Sequence, residues 1–433
     1  MDKAFILKGE PDELEYLAAI FKLDYIPESF KDNWRQACLS YPDSIPFFLK
    51  DDFIDSIVKE IPIMQKLNSN LRSAAKLVQE DERLLKISWL WYYLCYIVHD
   101  WRGLYSWPHL CNSIGEDGNF VPILILLSEY SNLSKFYKKY NVPQKHYRTT
   151  YEGIISSLTS FKRNHREPGR GNAALAWITR YIAGKLFYLG RLQYEFIKCH
   201  NDIYVYKNKD TDEVICLAQN GEIFTKDGIY ANPVDLGREG IWISQYSESD
   251  GYIYGNPISP DSYVIDRTIE LDSMQWELIL KKGDTAITIH IPAGRSLNID
   301  EVKESYQYAE FFFTTYFPNY SWRVIMCNSW LLDTKLRDFL SEGSNIVKFQ
   351  DSFYLLPGPY TGDNAGVYKF LFGVKDCPPD RLPVTSSLQQ KVKDYIIDGG
   401  FIRSGGGFIP REDIGKPVGY YKKIFSRTSI RRM

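Results

Sequence analysis

One change of period constrains this chain more than anything else in it. Up to about residue 188, apolar residues recur three and four apart, as in Leu14, Leu17, Ala18 and Phe21, or Phe53, Ile54, Ile57 and Ile61, the spacing of one helix face. Prolines such as Pro11, Pro27, Pro46, Pro62 and Pro122 fall where helices are expected to start or to have just ended, where a missing N–H costs little. After about Gly190 the pattern switches. LGRLQYEFI, IYVY, EVICLA, GIWISQY, GYIYG, WELILKK and TAITIHIP alternate or run apolar, with turns at Asn220-Gly221, Asp227-Gly228 and Asp250-Gly251. The order predicts an α+β protein, an all-helical N-terminal block followed by a mixed β-sheet flanked by helices.

The last third resolves further. After the strand TAITIHIP the pattern predicts a helix over about 300–317, with Asn298 or Asp300 as cap, Glu301 in its first turn, and Pro318 as its stop. Val302, Tyr306, Ala309, Phe313 and Tyr316 form its buried stripe. A strand WRVIMCN, a helix over about 330–340, strands NIVKFQDSFYLL and VYKFLFG, a helix over about 384–398 and a last extended piece follow. Strand–helix–strand units of this length favour a partly parallel sheet. The expected divisions are a helical domain over 1–146, a helix pair (about 147–164 and 172–188) with a β-rich part over 147–283, a further domain over 284–415, and a basic tail over 416–433.

Composition removes several function classes. With Lys+Arg 52 against Asp+Glu 54 among 433 residues, the chain has no global positive field to hold a polyanion, so no nucleic acid is expected. Seven scattered cysteines without a C-x-x-C argue for a reducing compartment, and the N-terminus lacks a signal-peptide apolar region, so the expected location is cytoplasmic. The longest apolar run, Ile87 to Val98, falls short of the roughly twenty residues that span a bilayer, so no membrane is expected. Walker, dinucleotide-fingerprint, zincin, EF-hand and nucleophile-elbow motifs are absent. Cys95, His99, His109 and Cys111 have spacings open to zinc, but they stand among tryptophans and tyrosines and read as core, so no metal is expected. The basic stretch Lys162 to Arg166 with Arg170 reads as an interhelical loop, and GGFIRSGGGFIP (399–410) as a close-packed turn.

The most informative constellation runs from Ile287 to Asp333. The strand ITIHI feeds through Pro292-Ala293-Gly294-Arg295-Ser296-Leu297 into the capped helix, a loop with backbone N–H groups, a helix N-terminus and one arginine, which together suit a pyrophosphate. His290 precedes that loop by two residues, and the next strand ends in Cys327-Asn328-Ser329. The carboxyl ends of neighbouring parallel strands are where open α/β sheets bind ligands, so His290, Cys327, Asn328 and Ser329 are expected to converge on one cleft. Two bland alternatives stand beside this: His290 filling a strand position, and Ser329 capping the next helix.

LGRLQYEFI (189–197), ITIHIPAGRSL (287–297), the helix leading to YFP (316–318), and MCNSWLLDTKLRDFL with SEGSNIVKFQ (326–350) resemble bacterial acyltransferase-domain proteins with an N-acyltransferase N-terminal domain and a GNAT-like C-terminal domain. The resemblance implies a GNAT-like sheet, acetyl-CoA or another acyl-CoA as co-substrate, and an amine acceptor that is a small molecule or a peptide. It places the pyrophosphate on the Pro292–Leu297 loop, with Ile291, Ala293, Gly294, Arg295, Ser296 and Asn328 as binding residues. Gly294 matches the Q/R-x-x-G-x-G/A pattern, whose second glycine is missing, and no tyrosine lies between Trp330 and Leu340 to protonate a leaving thiolate. His290 is then the expected base, backbone N–H groups near Ile291 serve the oxyanion, and Ser329 or Cys327 serves the leaving group, with a covalent Cys327 route also open. The alternatives to a catalyst are a non-catalytic binding or scaffold protein of the same fold and a hydrolase using paired carboxylates. The helical block is a candidate surface for a protein partner.

Overall fold

The computed structural model describes residues 9–22, 25–100, 110, 114–150, 177, 179–181, 183–233, 235–292, 295–358, 364–374 and 377–426. They fall into two compact units, Met1–Tyr188 and Leu189–Met433.

The first unit is helical, as the period predicts. Its helices are Pro11–Ile20, Glu28–Leu39, Asp51–Glu60, Asn68–Glu80, Glu82–Tyr92, Val121–Leu127 and Tyr130–Lys139. Leu71, Ala74, Ala75 and Val78 form the buried stripe of Asn68–Glu80. Asp81 caps the next helix by accepting from the Arg83 N–H, and that helix is buried from Ile87 to Tyr92. The apolar run continues through a π-turn, Tyr93–Ile97. Val121–Leu127 is buried on every side. The expected helices over 147–164 and 172–188 fall largely on residues outside the described ones, as do the basic stretch from Lys162 and the pair His109 and Cys111. Strand β1, Leu186–Leu189, carries the chain across the division.

The second unit is built on sheets. Its strands are β2 (Leu192–Lys198), β3 (Ile203–Asn208), β4 (Val214–Ala218), β5 (Ile223–Phe224), β6 (Trp242–Ile243), β7 (Tyr246–Ser249), β8 (Tyr252–Gly255), β9 (Pro257–Ser259), β10 (Tyr263–Val264), β11 (Ile269–Asp272), β12 (Trp276–Lys281), β13 (Thr285–His290), β14 (Val324–Ser329), β15 (Tyr354–Leu356) and β16 (Gly405–Pro410). The main sheet runs β2-β13-β14-β16-β15, and β13 and β14 are its parallel pair, joined by the helix Ile299–Tyr316. β10-β9-β4-β3-β12 form a second, antiparallel sheet. Ala286, Val324, Met326, Tyr354 and Phe408 share one core with Cys216, Ile258 and Leu280, so one face of the main sheet packs on the second sheet. Phe313 of the helix meets Tyr194 and Phe196 of β2, which covers the opposite face. The α+β architecture is therefore that of a mixed sheet between an antiparallel sheet and helices. β2 pairs with β13 from Thr285↔Lys198 to His290↔Gln193, so the sheet spans the division expected at 283.

Several local expectations change. Asn345–Gln350 is a helix, not a strand, because Ser344 caps it by accepting from the Val347 N–H. VYKFLFG also reads as a strand by composition, yet Ala365–Phe372 coils helically and ends at Gly373, whose φ of 71° is the left-handed terminator. The expected helix over 330–340 is two 3₁₀ turns, Trp330–Leu332 and Thr334–Asp338, because Asp333 starts a fresh turn by accepting from the Lys335 N–H. The glycine-rich 405–410 segment is strand β16, not a turn. A Cβ on Gly405 would stand 2.5 Å from the Leu332 carbonyl, and one on Gly407 3.0 Å from Phe353 Cβ, so glycine is what lets this strand lie so close to its neighbours.

Candidate active site

β13 and β14 define the site by where they stop pairing. Their register holds Ile287↔Ile325, Thr288↔Met326 and Ile289↔Cys327. β13 then continues to His290, while β14 runs on to Asn328 and Ser329, paired on its far side with Gly406 and Gly405. The carboxyl ends of the two parallel strands thus extend past their last mutual pair.

Alternation along the strands sorts the predicted residues onto two faces. Thr288 and His290 share a face with Glu195 and Gln193 of β2, and with Met326 and Asn328 of β14. Cys327 and Ser329 point to the opposite face. The structure therefore brings His290 and Asn328 to one side of the sheet and separates them from Cys327 and Ser329.

His290 Nε2 lies 3.0 Å from Glu195 Oε2. Both side chains are mostly buried, His290 at 27% and Glu195 at 14% exposure. Glu195 was missed at the sequence level, although its signal is present: LGRLQYEFI puts Gln193 and Glu195 on one face of a strand whose other face carries Leu192, Tyr194 and Phe196. Asn328 is exposed, and its Oδ1 stands over Gly406, 3.1 Å from where a Cβ would be.

Cys327 is buried, and burial pushes its thiol up to about 12. A nucleophilic cysteine needs its thiolate, and this one is held as the thiol at neutral pH. Ser329 Oγ accepts from the Leu331 N–H at 3.2 Å, so it acts as the cap of the following turn. Behind it, the buried Asp333 accepts from the Arg403 N–H at 2.5 Å, and Gln350 Nε2 donates to the Leu331 and Asp333 carbonyls at 2.9 and 3.0 Å.

The loop after β13 is anchored on its C-terminal side. Asn298 Oδ1 accepts from the N–H groups of Asp300 and Glu301 at 2.9 and 3.2 Å and caps the helix Ile299–Tyr316, as expected. Val302, Tyr306, Ala309 and Phe313 of the expected stripe are buried, and Tyr316 is half-buried. Arg295 donates to Glu301 Oε2 at 2.7 Å in an exposed pair, and Asn345 Nδ2 donates to Ser296 Oγ at 3.1 Å. Arg191, 2% exposed, donates to the carbonyls of Arg295 and Ser296, both at 2.9 Å. Ile291 is half-buried, and Ala293 and Gly294 lie outside the described residues.

Among the described residues, no group of three or more His, Cys, Asp or Glu side chains is placed to hold a metal ion. Cys95 is buried, and His99 Nδ1 lies 3.2 Å from its carbonyl oxygen. Among the same residues, no helix is long and apolar enough to cross a membrane.

Solved structures share this fold. An acyltransferase in complex with decanoyl-CoA and teicoplanin is 17% identical, over 92% of this chain and 98% of that one, with a TM-score of 0.58. An acyltransferase mutant in complex with octanoyl-CoA is 18% identical with the same coverage and TM-score. So is an acyltransferase in complex with CoA and 10C-teicoplanin. At this identity the likeness is one of fold. No curated protein matches the sequence. A family model for the GNAT-like C-terminal domain matches residues 186–409, more than half of the 433 residues and nearly the whole span of the sheet just described. The chain therefore belongs to the family of proteins with a GNAT-like C-terminal domain.

Proposed function

We propose that this protein is an acyl-CoA-dependent N-acyltransferase that moves an acyl group onto an amine. The observation that carries the reading is the His290–Glu195 pair, 3.0 Å apart beside the ends of two parallel strands that run past their last mutual pair at Ile289 and Cys327. The shared fold with acyltransferases in complex with decanoyl-CoA, octanoyl-CoA or CoA supports it.

The chemistry follows from the pair. When Nε2–H donates to Glu195, a neutral imidazole keeps its basic lone pair on Nδ1. As the nitrogen of the acceptor forms a bond to the thioester carbon, its proton passes to His290. The C–S bond then breaks with its electrons on sulfur, and the imidazolium returns a proton to that thiolate. Backbone N–H groups near Ile291 serve the developing oxyanion. Asn328, on the same face as His290, takes the polar position beside the leaving group. Cys327 and Ser329 are assigned to packing and capping, and the Pro292–Leu297 loop, with Arg295 and Ser296, to the phosphates of the co-substrate.

The acceptor is an amine on a small molecule or a peptide, and the teicoplanin bound by two of the fold neighbours makes a glycopeptide a sensible first trial. The cytoplasm is the proposed location, and the helical 1–146 block the proposed surface for any protein partner.

A second, non-catalytic reading draws on Arg295 being engaged by Glu301 and on the acidic first turn of the helix, Asp300 and Glu301. Calorimetric titration with acetyl-CoA, decanoyl-CoA and CoA separates the two. Micromolar binding supports the transferase. Binding of none of the three would favour the scaffold.

A further inference from the structure

The loop that the proposed function assigns to the co-substrate phosphates is gripped from behind by a buried arginine. Arg191 is 2% exposed, and its Nε donates to the Ser296 carbonyl while Nη2 donates to the Arg295 carbonyl, each at 2.9 Å. In an extended strand, successive carbonyls point to opposite sides. Here two in a row point to one guanidinium, so the backbone at 295–296 is curled.

The peptide bonds are trans throughout the described residues. In a trans peptide the C=O of one residue and the N–H of the next point in opposite directions. Two consecutive carbonyls turned toward Arg191 therefore turn the N–H groups of Ser296 and Leu297 together away from it. Successive N–H groups pointing one way make an anion-binding concavity. It lies immediately ahead of the helix Ile299–Tyr316, whose N-terminus adds positive potential. The Asn345–Ser296 hydrogen bond holds the side chain of the same residue from another direction.

We infer that Arg191 is a positioning residue that presents the Ser296 and Leu297 N–H groups to a phosphate of the co-substrate, acting through the loop backbone rather than by touching the anion. This deepens the acyltransferase reading and rests on it. Arginine suits the task because its planar fork meets two carbonyls at once, whereas a lysine ammonium on its flexible stem has no such fork.

The test compares Arg191→Gln and Arg191→Lys with wild type, each checked by circular dichroism, using acyl-CoA and the matching S-acyl-pantetheine, which carries no pyrophosphate. Arg191→Gln is expected to raise KM for acyl-CoA at least tenfold with kcat held within about twofold, and to shift KM for S-acyl-pantetheine less than twofold. Arg191→Lys is expected to fall between. Equal losses on both substrates would make Arg191 a general structural residue and overturn the inference, as would an unchanged KM for acyl-CoA. Should Arg191→Gln not fold, the same comparison of the two substrates on Arg191→Lys decides. A wild type that binds neither substrate would instead overturn the underlying transferase reading.

Discussion

Glu195 Oε2 and His290 Nε2 face each other at 3.0 Å across the antiparallel pair β2–β13, two residues off direct register, since Glu195 is opposite Thr288 and His290 opposite Gln193. The pair couples a carboxylate, which orients an imidazole, to the only histidine on the parallel strands.

Removing the imidazole tests its role. His290→Ala is expected to lower kcat by about 10²–10⁴-fold, the usual share of a general base, in a steady-state assay of thiol release. Glu195→Gln keeps a hydrogen-bond acceptor without the charge, and a loss smaller than that of His290→Ala is expected. Unchanged turnover in His290→Ala would exclude it as the base.

Cys327 is expected to be dispensable for chemistry. Burial holds its thiol at about 12, so N-ethylmaleimide at pH 7.5 should leave it unlabelled in the native protein and label it only after denaturation, as read by peptide mass spectrometry. Cys327→Ala should retain kcat within about threefold. A loss of several hundredfold with the fold intact would restore the covalent route.

The glycine strand carries a stability prediction. A methyl group at Gly405 meets the Leu332 carbonyl at 2.5 Å, backbone against backbone, with no flexible side chain to move aside. Gly405→Ala is expected to cost about 1–3 kcal/mol or more in urea unfolding. Gly399→Ala also changes a glycine, but nothing lies within 4 Å of its Cβ position, and its cost should come from its φ of 85° alone.

Asp333 gives stability a pH dependence. Burial is the largest influence and raises its carboxyl above the ordinary range, against the N–H groups of Lys335 and Arg403, which pull it down. Between the unfolded value, about 4, and the raised folded one, the native state holds more protons than the unfolded state, so stability falls as pH rises through that window. Asp333→Asn is expected to flatten this slope in urea titrations from pH 4 to 7. An unchanged slope would remove Asp333 as its source. The Asp413 carboxyl, raised mainly by burial, keeps part of the slope in that variant.

The sheet and its parallel pair were legible because period two and period 3.6 are physical consequences of which face is buried, and the Asn298 cap and Pro318 stop bracket one helix in plain sight. Asn345–Gln350 and Tyr368–Phe372 were not, because β-branched and aromatic residues mark burial as much as strand, and only the Ser344 cap and Gly373 terminator settle them. His290 was found through its position before a loop. Glu195 comes from a strand almost a hundred residues earlier, and only the β2–β13 register brings it beside His290, while Arg191 stands in the turn just before that strand and reaches the loop through its hydrogen bonds to Arg295 and Ser296. The sorting of Cys327 and Ser329 away from His290 follows from that same alternation, which a list of residues near a strand end does not display.

The most direct test of the account is product analysis. Purified protein is incubated with decanoyl-CoA and a panel of amines that includes a glycopeptide, and acylated amine and free CoA are quantified by mass spectrometry for wild type and His290→Ala. The account predicts an acylated amine formed one for one with CoA by wild type and reduced at least a hundredfold in the variant. Equal product from both proteins, or CoA release with no acylated amine from any acceptor, would contradict it.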